Sequence, residues 1–456
     1  MLKSEVFGMK KDKASEIIER AKNDKVEFVQ LIFTDIHGMI KSVTIPVDRM
    51  DESLEKGTWF DGSSVEGFTR ICESDMYLKP DPDTYALIPW MSKDCVYARL
   101  ICDVYTPEGK PFEGDPRYIL RKVIAEAKQM GFEYNVGPEL EFFLFKKTES
   151  GGLTTLPHDG AGYFDFAPRD LASDVRRDIV LALESFGIVV EMSHHEVAPG
   201  QHEIDFKYSD ALTTADSAIS FKATVKSIAH AYGLHATFMP KPIFGENGNG
   251  MHVHQSLFDI KSGKNVFFDA NDDYKISSSA KQFIAGQLEH IPAMVSVLAP
   301  TINSYKRLVP GYEAPVYICW GQTNRSALIR IPHYSKGREQ STRAELRCPD
   351  PSCNPYLAFA VMLKAGLDGM KRKLKLVSPV EENVYEFDDE KRVNNNIRTL
   401  PYSLFDAISE LKKDKVIADA LGKHLYPLYV RSKIMEWDEY RLQVTKWEID
   451  KYLEQT

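Results

Sequence analysis

The run Val136-Gly-Pro-Glu-Leu-Glu-Phe-Phe-Leu-Phe145 constrains this chain more than any other. Read as a strand, it sends Glu139 and Glu141 to one face and Leu140, Phe142 and Leu144 to the other. Phe143 and Phe145 share the acids' face, so that face is at least partly buried. A solvated edge strand is the plainer alternative, but it leaves two aromatic rings in water. Carboxylates on a partly buried face need a cation or a proton. The fold must bring one or the other to this strand.

Three further segments carry chemistry. In the segment from His194 to Phe206, Pro199-Gly200 is a turn signal between two short strands. A two-residue hairpin there sets Ala198 against Gln201, Val197 against His202 and Glu196 against Glu203. Directly opposed like charges are destabilising, so such a pair makes sense around a divalent cation; a bulge would change the register. The Gly-rich run from Gly245 to Ser256 feeds a strand with His252, His254 and Ser256 on one face, and its glycines allow close backbone approach to a ligand. Finally, Arg343, Glu345 and Arg347 alternate with Ala344 and Leu346, which a salt-bridged surface strand would also explain.

Several carboxylates with one imidazole suit Mg²⁺ or Mn²⁺ better than a zinc-only site. The sequence has no HExxH helix, no GxxxxGK[ST] loop and no GxGxxG following a strand, so any nucleotide site is led by metal. Arg307, Arg325, Arg330, Arg343 and Arg347 cluster in one stretch broken by Gly and Pro. Guanidinium forks match carboxylate and phosphate oxygens, so this density points to anion handling.

At 456 residues the chain is too long for one ordinary core. Its 43% hydrophobic and 27% charged content is that of a globular protein, and 57 basic against 66 acidic residues give a formal charge of −9. Neither nucleic acid nor an anionic membrane is expected as a partner. No two of its six cysteines have CxxC spacing, which reads as reduced thiols. No signal-peptide core or membrane span is recognisable, so a cytoplasmic protein is expected.

Residues 11–24 read as an amphipathic helix; strand runs follow at 26–33, 40–45, 84–89 and 96–104, with Asp35-Ile36-His37-Gly38 as a turn. The breaker-rich stretch from Thr106 to Pro116 is the expected boundary, giving domains over 1–110 and 111–456. Asp115 caps the next helix, with Pro116 in its first turn. Further helices are expected at about 170–187, 214–232, 277–298 and 354–371, so the larger part is α+β.

Six motifs, in order, resemble type I glutamine synthetase. They are Phe60-Asp-Gly-Ser-Ser64, Gly137-Pro-Glu-Leu-Glu141, the His195-Glu-Val…Gln-His-Glu203 hairpin, Lys241-Pro…Asn247-Gly-Asn-Gly-Met-His252, Asn324-Arg-Ser-Ala327 and Glu345-Leu-Arg-Cys-Pro-Asp350. The resemblance runs from about residue 25 to 372. It implies a β-grasp-like N-terminal domain followed by a catalytic domain with a curved antiparallel sheet surrounded by helices. It also implies two metal positions, one held by Glu141, Glu196 and Glu203 and the other by Glu139, His252 and Glu345 beside the ATP phosphates. The implied chemistry is ligation of ammonia to glutamate through γ-glutamyl phosphate.

In that scheme Asp61 matches the residue that deprotonates ammonium, and Glu313 the flap acid that closes the site. Arg325 and Arg330 match stabilisers of the transferring phosphoryl group. Asn247, Gly248, Arg307, Arg347 and Ser64 correspond to glutamate-side positions, and Glu191, His254, Ser256 and Arg343 to nucleotide contacts. The family pattern further implies a dodecamer of two hexameric rings, with the Asp-Gly-Ser-Ser loop completing a neighbour's site.

Two features bear on regulation. Tyr385 sits in Asn-Val-Tyr-Glu-Phe rather than the Leu-Tyr-Asp-Leu-Pro setting of the adenylylated branch, so no adenylylation is expected. Val65-Glu-Gly-Phe-Thr-Arg70 resembles the short branch, in which this arginine mediates glutamine feedback; 2-oxoglutarate or a PII-type protein are other candidate regulators. The rival readings are a sister ligase joining glutamate to a polyamine, a non-catalytic homologue and a metal-dependent hydrolase. Asp61, Glu313 and all six metal-ligand positions argue against the first two, and product analysis separates the third.

Overall fold

The computed structural model describes residues 2–63, 65, 67, 75–91 and 94–455. Helix α1 (Leu2–Asn23) leads into β1 (Phe28–Thr34) and β2 (Ile40–Pro46), an antiparallel pair closed by the expected turn. Asp35 accepts hydrogen bonds there from the backbone N–H groups of His37 and Met39. Gly38 has φ +76°, and a Cβ on it would stand 3.0 Å from the Cα of Asn354, so both conformation and contact require glycine.

After α2 (Met50–Lys56) come β3 (Thr58–Asp61), β4 (Asp75–Pro80), β5 (Ala86–Leu87) and β6 (Tyr97–Tyr105). They complete a six-stranded sheet in the order β2-β1-β6-β4-β3, with β5 on β6. Val29, Leu31, Leu78, Ala98, Leu100 and Val104 fill its core. The strand expected at 84–89 shrinks to two residues, because Pro82 to Thr84 form a tight helical turn capped by Asp81.

The second sheet begins after α3 (Pro116–Gln129), where Asp115 accepts from the Arg117 N–H at 3.0 Å, as the capping signal requires. Its spine is β7 (Phe132–Lys147). Next come β8 (Leu153–Pro157), α4 (Ser173–Ser185), β9 (Val190–His195), β10 (Gln201–Phe206), β11 (Ser209–Asp210), α5 (Ala211–Ala231) and β12 (Leu234–Thr237). Then follow β13 (Met251–Asp259), α6 (Ser278–Leu298), α7 (Ser304–Arg307), β14 (Tyr317–Gly321), β15 (Ala327–Arg330), β16 (Ala344–Leu346) and α8 (Pro355–Arg372).

The sheet runs β17-β14-β15-β16-β13-β7-β10-β9, where β17 is Arg398–Thr399, and β8, β11 and β12 also pair with β7. All pairings are antiparallel except β14 with β15. The four expected helices appear as α4, α5, α6 and α8 within a few residues of their predicted ends. The chain finishes with α9 (Asp389–Asn394), α10 (Leu404–Leu411), α11 (Lys415–Tyr440) and α12 (Lys446–Tyr452). Among the described residues no helix is long and apolar enough to cross a membrane.

Arg117 joins the two sheets. Its guanidinium is buried and donates to Asp81 at 2.8 Å, Asp103 at 2.5 Å and Asp216 at 2.8 Å. The first two acids belong to the six-stranded half and the third to α5, so a single cation serves both.

His290 on α6 makes a second junction, 2.6 Å from Asp414 and 3.0 Å from Asp368. Burial lowers its pKa, but hydrogen bonds to the two carboxylates prevail and raise it above the ordinary value. A raised folded-state pKa gives stability that is fully present below the unfolded value of about 6.5 and is lost as pH rises through the folded value. His290→Gln should therefore lower thermal stability at about pH 6 and much less at about pH 9. An equal deficit at both pH values would refute this role.

Candidate active site

Strand order and register assemble the site. Across β7 and β10, Glu141 faces Glu203 and Glu139 faces Asp205. On the other side of β7, Glu139 faces His252 of β13. His254 then faces Glu345 of β16, which faces Arg330 of β15. Directly opposed residues point to the same side of a sheet, so these groups form one continuous wall. Carboxylates dominate at the β10 end and arginines at the β15 end.

The hairpin between β9 and β10 differs from the expected register. His202 pairs with His195 and Glu203 with His194, while Glu196 donates its backbone N–H to Gln201. The loop therefore holds four residues, Val197 to Gly200, and Glu196 does not face Glu203. The displacement is two positions, which leaves Glu196 on the face expected of it. His194 comes between them, 3.5 Å from Glu196 and 3.2 Å from Glu203. The like-charge pairs that do lie directly opposed are Glu141 with Glu203 and Glu139 with Asp205.

Burial pushes the Glu141 carboxyl up to about 7, and the Gly250 N–H that it accepts at 2.8 Å only tempers the rise. Glu196 is pushed up to about 9 by burial and then by the charges of Glu141 and Glu203. Glu203 is also raised well above its ordinary value, by burial first and Asp205 next, and Asp205 itself rises to about 7. Glu139 behaves oppositely: burial works against its charge, but hydrogen bonds from His252 and His254 hold it far below the usual carboxylate range. Buried acids crowded so closely that burial and their neighbours disfavour the charged form fit a divalent cation. Among the described residues the compact donor groups are Glu139–His252–Glu345, His194–Glu203–Asp205 and the buried Asp159–His195–His202.

Metal binding to such groups displaces their protons. Adding Mg²⁺ or Mn²⁺ near about pH 7 should release protons, and affinity should rise with pH between about 6 and 9. Calorimetric titrations showing a pH-independent affinity would contradict the assignment.

The arginine end is tightly bonded. Glu345 accepts from Arg347 at 2.5 Å and from Arg330 at 2.8 Å, with His252 3.9 Å away. Arg343 donates through Nε to His254 Nδ1 at 3.0 Å, and His254 Nε2 lies 2.7 Å from Glu139. Since an arginine only donates, Nδ1 carries the lone pair and Nε2–H donates to Glu139.

A cleft opens against this wall, bounded by Glu141, Glu196 and His252, by Asn247 and Gly248, and by Arg307, Glu313 and Arg347. Gly250, in the run expected to let backbone approach a ligand, is packed against side chains: a Cβ there would come 2.7 Å from Arg307 Nη2 and 3.2 Å from Glu141. Arg307 is buried and donates to the carbonyls of Cys348, Pro349 and Arg347. Glu313 has φ +57°, an uncommon value for a residue with a side chain.

Other expected residues lie apart. Arg325 is exposed on the connection between β14 and β15, Glu191 is exposed on β9, and Ser256 is buried two residues beyond His254. Asp61 ends β3 in the other sheet, accepts from the Ser63 N–H at 2.8 Å, and is not among the residues bounding the cleft. Ser64 and Arg70 lie outside the described residues. Sequence reasoning passed over His194, Asp205 and Gln201. The amide of Gln201 donates to Glu141 at 3.0 Å, which orients that carboxylate.

Residues 25–107 match the family model for the glutamine synthetase β-grasp domain, and residues 113–452 match that for the glutamine synthetase catalytic domain. The chain belongs to the glutamine synthetase family. It is 54% identical over 438 residues to the glutamine synthetase of Methanosarcina mazei, covering 96% of this chain and 97% of that one. Among solved structures, Plasmodium falciparum glutamine synthetase superposes with a TM-score of 0.86 at 27% identity, covering 96% and 98% of the two chains. A GmaS/ADP complex gives a TM-score of 0.86 at 32% identity, covering 96% and 99%. The fold is thus a β-grasp domain followed by a catalytic domain built on a curved sheet with surrounding helices, as the motifs implied. The activity is that of an ATP-dependent glutamate–ammonia ligase of a family that uses divalent metals.

Proposed function

We propose that the wall facing the cleft carries out a two-step ligation, with its acid end serving ammonia and its arginine end serving phosphate. The observation that carries this reading is the ordering of charge along the adjacent strands β10, β7, β13, β16 and β15. Arg330 and Arg325 would stabilise charge as the glutamate γ-carboxylate takes the γ-phosphate of ATP. Asn247, Gly248, Arg307 and Arg347 would orient glutamate, while Glu191, His254, Ser256 and Arg343 would hold the nucleotide. Asp61 would take the proton from ammonium, and Glu313 would cover the acyl phosphate against water.

Two Mg²⁺ or Mn²⁺ positions are proposed: Glu141, Glu196 and Glu203 would hold one, and Glu139, His252 and Glu345 the other. When bound, the cations supply positive charge to the phosphates and to the acid wall. Phosphate release from ATP that requires glutamate and ammonium together, with stoichiometric glutamine, tests the scheme. Release with a polyamine but not with ammonium would overturn it.

The domain limits are proposed at 1–110 and 111–456, in keeping with a separate hydrophobic cluster in the six-stranded half. Because Asp61 is not among the residues that bound its own chain's cleft, we further propose that a neighbouring copy supplies it, within a dodecamer of two hexameric rings in the cytoplasm. Glutamine feedback through Arg70, 2-oxoglutarate or a PII-type protein are the proposed controls. Tyr385 is proposed to stay unmodified: its hydroxyl donates to the Ala314 carbonyl at 2.5 Å, beside Glu313. A nucleotidylated Tyr385 peptide in a tryptic digest would disprove that.

A further inference from the structure

A cavity of about 130 Å³ lies between the two sheets, and none of its lining residues is a site residue named above. Ile32, Ile88, Ile101 and Ile219 wall it with Trp90 and Phe186 at its sides, Gln30, Ser220 and Ser227 add polar groups, and among the described residues Arg99 is the one charged side chain lining it. Arg99 is 6% exposed. Nη1 donates to the Thr84 carbonyl at 3.0 Å, the guanidinium carbon stands 4.9 Å from the Phe186 ring centre, and Nε is buried without an acceptor. Among the described residues no carboxylate forms an ion pair with it. The acid that influences it most, Asp216, is already bonded to Arg117 at 2.8 Å and to the Tyr356 hydroxyl at 2.6 Å.

A buried guanidinium without an anionic partner is costly. Here it stands at the wall of a mainly apolar space about as large as engineered cavities that take a single benzene ring. Polar partners for water are confined to Arg99, Gln30, Ser220 and Ser227, and the isoleucines, Trp90 and Phe186 that make up the rest of the wall offer none. The fitting occupant has an anionic end and an apolar body.

We propose that this cavity binds a small carboxylate with an aromatic or branched apolar body. The carboxylate sits on Arg99, and the body packs against Trp90, Phe186 and the isoleucines. Strands β1 and β6 contribute one wall, and the end of α4 with α5 the other, so the ligand would clamp the two sheets together. A ligand that binds only the folded chain raises its melting temperature.

Benzoate is the probe, with benzyl alcohol as its uncharged counterpart and acetate as its ringless one. Calorimetry and thermal unfolding of the whole protein should show benzoate bound and stabilising, with both controls weaker by about tenfold or more. Arg99→Met, which keeps apolar volume, should lose the benzoate response by a similar factor. Should that variant fail to fold, Ala223→Leu narrows the cavity from α5 and should abolish the response without touching Arg99. Benzoate binding no better than benzyl alcohol, or unchanged in the folded variants, would overturn the proposal; the latter result would place benzoate at another site.

Discussion

Glu345→Ala is expected to lower turnover by about 10³-fold or more. Glu345 is 1% exposed, accepts from both Arg330 and Arg347, and belongs to the Glu139–His252–Glu345 donor group. Removing its carboxylate takes away a proposed metal ligand and leaves two guanidinium groups, proposed for phosphate and glutamate, without the anion that aims them. Electrostatic groups placed in advance lose most of their effect when their supports go. Glu345→Gln separates the causes, because it keeps the shape and one acceptor oxygen while losing the charge. Alanine and glutamine variants that both retain more than about a tenth of normal turnover would remove Glu345 from the machinery.

Asp61→Ala should cost about 10²- to 10⁴-fold in ammonium-dependent turnover, the usual range for a general base, while sparing metal affinity. Ammonium has no lone pair, so loss of the proton acceptor falls on the second step. Glutamyl phosphate should still form and should be intercepted by hydroxylamine, which is already a nucleophile. An Asp61→Ala enzyme with normal turnover at limiting ammonium would end this role. The two variants together test the assembly as well. Co-expressed Asp61→Ala and Glu345→Ala chains should recover up to about a quarter of normal activity if a neighbour supplies Asp61, since random mixing pairs the two intact residues at that frequency. No recovery from mixed oligomers would place Asp61 in its own chain's site.

Legibility from sequence followed burial pattern. Glu139 and Glu141 were readable because acids interrupt an apolar strand on alternate positions. The capping of α3 was readable because Asp115-Pro116 is a local signal whose partner is only two residues away. Asp205 was not: alternation puts it on the face of Gln201 and Glu203, but its opposition to Glu139 is made by the neighbouring strand and no local signal announces it. The hairpin register failed for a different reason: Pro199-Gly200 announces a turn but does not say whether the loop holds two residues or four. The convergence of β10, β7, β13, β16 and β15 is a matter of sheet order, and no local pattern in the sequence encodes it. The six motifs supplied that part through resemblance.

The Arg117 junction has a mechanical consequence. With one buried cation bonded to Asp81 and Asp103 on one side and Asp216 on the other, the two sheets are expected to move as a single rigid body. A hinge between them would have to strand a charge away from water, at a cost of several kcal/mol. Opening and closing of the cleft then falls to the loops at its rim, above all the segment holding Glu313 in its left-handed conformation. Admission of substrate becomes a local event, and the angle at which a subunit would present Asp61 to the neighbour proposed above stays fixed while it happens.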